Sequence, residues 1–204
     1  MKTLLFTFVF VTIFVFGCVE QQSQITSPEG KNNPDKLSFL SLSGSNFTGL
    51  GVETVYSSSE WITGSTGGNI QLDVYQERPG NEYGNFVVHA NVTVPPNSFP
   101  AGEQRQFTVS LDDQYALLDI TPSPTTLYNQ LIVDFYVQGI DVSGVTPENL
   151  GFVFISDNDD AYPTDNNSFY IDYVNNSITI EDAVINSDST ILPGSRYGWV
   201  RKCD

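Results

Sequence analysis

Cysteine, histidine and basic side chains are all scarce in this sequence. Two cysteines, Cys18 and Cys203, and one histidine, His89, occur in 204 residues. With so few of these side chains, a transition-metal site built from His and Cys is excluded, and a disulfide framework cannot carry the stability of the fold. We expect Cys203 to be a free thiol. A Ser-His-Asp or Cys-His hydrolase has one candidate base, and no G-x-S-x-G motif supplies its nucleophile.

Positive charge is scarce as well. Eight Lys and Arg residues stand against 24 Asp and Glu residues, which gives a formal net charge of −16 at pH 7. This imbalance excludes electrostatic binding to nucleic acid or to anionic lipid headgroups. The acidic residues are spread along the chain rather than gathered in blocks. Such a distribution is typical of a solvated surface that keeps an exported protein soluble.

One long hydrophobic run is present, and it lies at the N-terminus. Residues 1–17 begin with Lys2 and continue in Leu, Phe, Val and Ile. The run is too short for a comfortable membrane span and is typical of an export signal. Gly17 directly before Cys18, with aliphatic Val15 nearby, resembles a bacterial lipobox, which implies that a lipid is attached to Cys18. The alternative is a secretory signal that happens to contain a cysteine. The expected location is the bacterial cell envelope, with the outer membrane as the anchoring membrane.

The chain is expected to divide into three parts. Residues 1–17 are the predicted lipoprotein signal peptide, 18–50 the lipidated cysteine with a flexible tether, and 51–204 a folded domain. Residues 19–36 are rich in Gln, Ser, Asn and Pro, which favours a tether. Residues 37–45 alternate only in part, so they are compatible with either an edge strand or a loose segment. About 150 residues can bury about 70% of their unfolded-chain surface, which is enough for one core.

The strongest alternation of apolar and polar residues lies between Phe86 and Leu111. Every second residue from Phe86 to Val94 is apolar, the pattern of a half-buried strand, and the alternation resumes at Phe107. Pro95 and the proline after it donate no ladder hydrogen bond, so they end the first strand. The stretch predicts a β-hairpin with a proline-stiffened turn.

Short strand candidates, separated by Gly, Pro and Asn turn signals, follow one another along the domain. They lie near Glu53–Tyr56, Trp61–Thr63, Asn69–Gln76, Asn85–Val94, Gln104–Leu111, Ala116–Thr121, Gln130–Val137, Gly151–Ser156, Phe169–Val174, Ser177–Ile180 and Arg196–Arg201. One helix-like signal occurs at 145–150, where Thr146 can cap a single turn. Many short strands without βαβ alternation predict an all-β fold, an antiparallel β-sandwich that is immunoglobulin-like in architecture.

Four short motifs, taken in order, resemble a ZU-five-type domain, the β-sandwich shared by zonula occludens proteins, netrin receptors and ankyrins. They are Gly67-Gly68-Asn69-Ile70, Val92-Thr93-Val94-Pro95-Pro96-Asn97-Ser98-Phe99, Ile120-Thr121-Pro122-Ser123 and Leu131-Ile132-Val133-Asp134-Phe135. The stretch from Trp61 to Val200 looks closer still to bacterial lipoproteins that carry a divergent copy. The resemblance implies an all-β interaction module without a bound cofactor, and it implies no particular ligand.

One loop is crowded with candidate metal ligands. Asp157, Asp159, Asp160 and Asp165 lie there among several asparagines. Calcium binds about six to eight such oxygens. However, turns also select Asp and Asn, and the glycine and distal glutamate of an EF-hand are missing, so the sequence favours a turn over a metal site.

The remaining candidates for function are the single histidine and the tyrosines. His89 falls on the solvent side of its strand, so we expect an exposed strand residue rather than a catalyst. The tyrosines are spread through strands and turns, which favours core and cross-strand packing. The function predicted is a lipid-anchored, non-catalytic envelope module that binds an envelope protein or a glycan, and neither nucleic acid nor a cofactor. The alternatives are a carbohydrate-binding module, in which exposed tyrosines stack on sugars, and a hydrolase.

Overall fold

Alternating apolar and polar residues form strands along most of the described chain. The computed structural model describes residues 37–40, 42, 56–112, 115–155, 161–164, 168–185 and 196–202. Over these residues the chain forms twelve strands, all paired antiparallel. They are β1 (Leu37–Phe39), β2 (Tyr56–Thr63), β3 (Gly68–Gln76), β4 (Phe86–Val94), β5 (Gln104–Leu111), β6 (Leu117–Thr121), β7 (Leu131–Gln138), β8 (Leu150–Ile155), β9 (Ala161–Pro163), β10 (Ser168–Asp172), β11 (Ser177–Ile185) and β12 (Arg196–Lys202). The all-β prediction is confirmed.

The strands form two sheets that face each other across one core. The first has seven strands in the order β2-β5-β6-β12-β8-β9, with β1 also paired to β12, and the second has five in the order β10-β11-β7-β4-β3. Aromatic contacts join the sheets: the ring centroids of Phe135 and Phe152 are 6.2 Å apart, and those of Phe169 and Trp199 are 5.8 Å apart. The fold is therefore an antiparallel β-sandwich, as predicted.

The prediction that β4 and β5 form a hairpin is wrong. β4 pairs with β3 and β7 in the five-stranded sheet, whereas β5 pairs with β2 and β6 in the seven-stranded sheet. The proline turn is a crossover between sheets, in which Asn97 takes a left-handed φ of 61° and Phe99 is buried in the core. Ser98 Oγ stabilises it by donating to the Pro95 carbonyl at 2.6 Å. Alternation shows which side of a strand faces the core, and both sheets of a sandwich satisfy that pattern, so it does not identify the pairing partner.

Three strands differ from their predicted extents. β2 runs without interruption from Tyr56 to Thr63, through the gap predicted between two short strands, and residues 53–55 of the first predicted strand lie outside the described residues. It lies at an edge of its sheet and begins with a tyrosine and three serines, so its apolar signal is weak. β11 continues beyond its predicted end at Ile180, because a β-bulge interrupts the alternation there. β9 has three residues and was not predicted.

The folded unit begins before residue 51, where the sequence places the domain boundary. β1 pairs with β12, and Leu40 and Leu42 are 4% and 1% exposed in the core. The Leu40 N–H donates to the Trp199 carbonyl, and the Leu40 carbonyl accepts from the Ala116 N–H, each at 2.9 Å. Part of the segment assigned to the tether therefore belongs to the sandwich.

Helical structure within the described ranges is limited to one 3₁₀ turn. It covers Pro124–Thr126, in a segment that the sequence marks only as a break between strands. The helical turn expected at 145–150 is a hydrogen-bonded turn, in which the Asn149 N–H donates to the Thr146 carbonyl at 3.1 Å. The Asn149 side chain in return accepts from the Thr146 N–H at 2.8 Å. Nowhere in the described part of the chain is a helix long and apolar enough to cross a membrane.

β12 is the last strand in the chain, yet it lies inside the seven-stranded sheet. One of its edges pairs with β8, and the other pairs first with β6 and then with β1. Gly198 lies at the change from β6 to β1. A Cβ at Gly198 would overlap the carbonyl oxygen of Ala116 and the side chain of Leu117. Glycine is required at this position because the two backbones approach too closely for any side chain.

Replacing Gly198 by alanine is expected to lower the free energy of unfolding by about 1–3 kcal/mol, because the added methyl group must displace backbone atoms. Gly102→Ala is the matched control, since a Cβ at Gly102 meets nothing within 4 Å. Urea unfolding of the two variants measures the difference. Equal midpoints for both variants would show that the close approach at Gly198 is not a constraint.

Candidate functional site

An open groove lies on the outer side of the five-stranded sheet. Its volume is about 430 Å³, and residues of β4, β7 and β11 line it. The outward side chains of β3, β4, β7, β11 and β10 are called the groove face below. They alternate with core residues of the same strands, so the backbone ladder fixes their positions. Those that line the groove itself are His89, Asn91, Asp134, Tyr136, Thr179, Glu181 and Asp182.

One row of cross-strand neighbours spans the whole groove face. It consists, in order, of Asp73, His89, Tyr136, Thr179 and Tyr170, one from each strand of the sheet. His89 Nδ1 lies 2.6 Å from an oxygen of the Asp73 carboxylate. The His89 ring is stacked beside Tyr136, with centroids 5.8 Å apart and planes at 25°. The row places a carboxylate, an imidazole, a hydroxyl and two phenol rings along a line of four strand spacings, about 19 Å.

A β-bulge in β11 brings two further carboxylates to the groove. The register shifts after Ile180, and Asp182 takes a left-handed φ of 52°. The Asp182 N–H donates to one carboxylate oxygen of Asp134 at 2.9 Å, and Asn91 Nδ2 donates to the other at 3.2 Å. Asp134 is thus held by hydrogen bonds within the sheet, while Glu181 and Asp182 are exposed beside it.

Three acceptor groups of the groove face have no hydrogen-bond donor within the described ranges. The side-chain oxygen of Asn91 is buried and has no partner among the residues that the structure describes. A buried acceptor left without a donor costs about 1–3 kcal/mol. The carboxylates of Glu181 and Asp182 have no hydrogen-bond or ion-pair partner within the described ranges either. The buried Asn91 oxygen is out of reach of a ligand, whereas the exposed carboxylates of Glu181 and Asp182 can accept hydrogen bonds from one.

The groove face carries a negative field. The five strands contain no Lys or Arg, and their acidic residues are Asp73, Asp134, Asp172, Glu181 and Asp182. Such a surface disfavours anionic ligands, because carboxylates without cations repel them. No group of three or more His, Cys, Asp or Glu side chains is arranged to hold a metal ion within the described ranges.

Exposed tyrosines extend the groove face at both edges of the sheet. Tyr170 on β10 is 59% exposed and Tyr75 on β3 is 62% exposed. Trp61 and Tyr128 are similarly exposed but lie away from the groove. The expectation that the tyrosines serve core and cross-strand packing is confirmed for Tyr197, whose pKa is raised by its burial, and for Tyr136, which stacks across the strands on His89. The exposed side chains of Tyr170 and Tyr75 depart from it.

Of the candidate catalytic, lipidation and metal-ligating residues named from the sequence, His89 is the one whose position is described. It is exposed in the middle of β4, as the alternation predicts. Cys18 and Cys203 lie outside the described residues, and so do the four loop aspartates, Asp157, Asp159, Asp160 and Asp165. The groove face cannot be predicted from local sequence, because it depends on the pairing of strands far apart in the chain.

The turn after β10 holds in place the edge strand that carries Tyr170. Asp172 Oδ1 accepts from the N–H groups of Val174 and Asn175 at 2.9 and 3.0 Å, and Oδ2 accepts from Asn175 Nδ2 at 2.7 Å. These bonds, foremost that from the Asn175 backbone, hold the pKa of the Asp172 carboxyl below its ordinary value. The charged form of Asp172 therefore stabilises the turn that joins β10 to β11.

Comparison with known proteins gives no function to transfer. Nothing among protein-family models, curated proteins or solved structures matches this chain. The geometry alone defines a class of site, an open polar and aromatic groove on a rigid sheet.

Asp172→Asn is expected to lower the thermal midpoint at pH 7, because a neutral amide is a weaker acceptor for the three donors of the turn. The folded-state pKa of Asp172 lies below the unfolded value of about 3.9. The contribution of Asp172 to the free energy of unfolding is therefore fully present above that pH and is lost as the pH falls through the folded-state pKa. The difference in midpoint between wild type and variant should shrink between about pH 5 and pH 2.

Glu60→Gln controls for the loss of one negative charge, since Glu60 is exposed on β2 and has no hydrogen-bond or ion-pair partner among the described residues. Thermal unfolding followed by circular dichroism across the pH series makes the measurement. If the difference in thermal midpoint between wild type and Asp172→Asn stays constant across the pH series, the charged form of Asp172 does not stabilise the turn.

Proposed function

We propose that this protein is a lipid-anchored module of the bacterial cell envelope that binds its partner through the groove face and has no catalytic activity of its own. The observation that carries the binding role is the row from Asp73 to Tyr170, in which polar and aromatic side chains are held by five paired strands. An open groove with a few placed polar groups on rigid elements is a common form of binding site.

The chemistry of the groove favours binding over catalysis. For a Ser-His or Cys-His hydrolase His89 is the single candidate base, and its hydrogen bond goes to Asp73 rather than to a hydroxyl nucleophile. Asp134 uses both carboxylate oxygens for hydrogen bonds inside the sheet. A hydrolase needs either an activated nucleophile or a pair of carboxylates that can exchange protons with the substrate. The hydrogen bonds of His89 and Asp134 serve the architecture of the sheet instead.

Attachment to the membrane is proposed to depend on Cys18. The lipobox-like residues before Cys18 and the polar segment 19–36 after it support this role, and the net charge of −16 provides no electrostatic attraction to an anionic bilayer. Each buried CH₂ of an acyl chain contributes about 0.8 kcal/mol, so two or more chains anchor a protein stably where one does not. Lipid on Cys18 would therefore be the main membrane contact.

The resemblance to ZU-five-type domains supports an interaction module without a cofactor. The partner is proposed to be an envelope protein or a glycan. Nucleic acid is disfavoured, because the groove face carries five carboxylates on strands that contain neither Lys nor Arg.

The full-length protein, expressed in a Gram-negative host, is expected to be cleaved before Cys18, acylated there and recovered in the detergent phase. Cys18→Ala is expected to remain unacylated, whereas Cys203→Ala, which removes the other cysteine, should behave like the wild type. N-terminal peptide mass spectrometry and detergent phase separation provide the measurements. Unmodified mature protein in the aqueous phase, starting beyond residue 18, would refute the lipid anchor.

The hydrolase alternative is tested on the same preparation with glycosidic and ester substrates. No turnover above background is expected. Turnover that is abolished by Asp134→Asn, with the thermal midpoint unchanged, would replace the binding role by an enzymatic one.

A further inference from the structure

The groove face sets two aromatic rings at a defined separation. Tyr136 on β7 and Tyr170 on β10 belong to the same row, two strand spacings or about 10 Å apart. Tyr170 is 59% exposed, and Tyr136 is stacked beside His89. Two aromatic planes on one line at this separation can each contact the apolar face of a sugar ring in an extended oligosaccharide.

Polar groups lie between and beside these rings. The Thr179 hydroxyl belongs to the same row, between the two tyrosines. Glu181 and Asp182 follow Thr179 closely on β11, and their exposed carboxylates have no partner within the described ranges. A sugar presents hydroxyl groups around the edge of an apolar ring face, so it can donate to these acceptors while its ring lies on the tyrosine.

The charge of the groove face restricts the ligand further. Because its five strands contain no Lys or Arg, an anionic saccharide would find repulsion and no ion-pair partner. Asp73 already faces His89, and Asp134 already accepts two hydrogen bonds from the sheet, so the carboxylates left to accept from a ligand are Glu181 and Asp182. A neutral ligand with many hydroxyl groups avoids the repulsion and can donate hydrogen bonds to these carboxylates.

The dimensions also favour a small ligand over a protein partner. A volume of about 430 Å³ is within the range of small-molecule sites. A stable protein interface buries about 800 Å² on each partner around an apolar centre. The centre of the groove face is polar instead, with Asn91, Asp134 and Glu181 around it.

We infer that the groove face is a binding site for a neutral oligosaccharide. The sugar chain lies across the strands, with rings on Tyr136 and Tyr170 and hydroxyl groups donating to Glu181 and Asp182. This inference rests on the proposed non-catalytic binding role and names the class of ligand for the same surface.

The test uses the lipidated full-length protein in micelles of a polyoxyethylene detergent, which has no sugar headgroup. Calorimetric titration is made with the neutral hexasaccharides of cellulose, chitin, mannan and starch. At least one is expected to bind, and Tyr170→Ala is expected to weaken that binding about tenfold through loss of the stacked ring. Absence of binding to every neutral hexasaccharide overturns the inference.

Tyr136 provides a second pair of variants. Tyr136→Ala removes the ring and is expected to weaken binding at least as much as Tyr170→Ala. Tyr136→Phe keeps the ring and loses only the hydroxyl, which donates to Gln138 Oε1 at 2.7 Å, so it should bind within about twofold of the wild type. Equal losses for Tyr136→Phe and Tyr136→Ala would show that ring stacking does not hold the sugar.

Trp61→Ala and Tyr128→Ala are the matched controls, because these side chains are 66% and 68% exposed and belong to no strand of the five-stranded sheet. Both should bind the sugar like the wild type. A loss in either control equal to that in Tyr170→Ala would place the sugar elsewhere and overturn the inference. Tighter binding of a heparin hexasaccharide or of hexalysine than of every neutral sugar overturns it as well.

Detergent partition and acylation at Cys18 are scored on the same preparations. Failure of sugar binding with an intact lipid anchor therefore refutes the ligand class alone. Hexalysine binding that is lost in Tyr170→Ala refutes the sugar while keeping the groove face as the binding surface.

Discussion

The insertion of β12 between β6 and β8 is the constraint on which the rest of the sandwich depends. β12 supplies the ladder partners of β8, β6 and β1, so three parts of the seven-stranded sheet are joined through it. Its Trp199 is fully buried and contacts Phe152 within the sheet and Phe169 of the opposite sheet, with centroids 5.2 and 5.8 Å apart. The indole Nε1 has no hydrogen-bond partner among the described residues. The free energy gained by burying the large ring therefore exceeds the cost of burying its unpaired N–H.

Local pattern and non-local pairing explain which parts of the fold the sequence predicts. Alternation located most strands to within a residue or two, and β5 was placed at its observed bounds, because a half-buried strand must present apolar residues with a period of two. Alternation does not predict which strands pair, because β4 and β5 lie in facing sheets and show the same alternation that they would show as neighbours in one hairpin. The sequence of residues 37–45 does not decide between an edge strand and a loose segment, because the partner of β1 is β12, at the far end of the chain.

The sequence does not predict the groove face for the same physical reason, although the alternation in β3 and β7 indicates part of it. Tyr75 shares its side of β3 with Asp73, and Tyr136 shares its side of β7 with Asp134, so the alternation already places both rings on a polar side. Their alignment into a row is set by the register of β3, β4, β7, β11 and β10. The bulge that brings Asp182 to Asp134 depends on an irregular backbone at a non-glycine residue, which composition does not reveal.

Electrostatics and topology together determine how an anchored form of this protein would present its groove. A net charge of −16 is repelled by anionic headgroups, and the repulsion is confined to about 8 Å at physiological ionic strength. Under the proposed attachment through a lipid on Cys18, charge would therefore not draw the acidic groove face onto the bilayer. The first strand, β1, joins the seven-stranded sheet, whereas the groove lies on the outer side of the five-stranded sheet. The first described strand and the proposed binding surface therefore belong to different sheets of the sandwich.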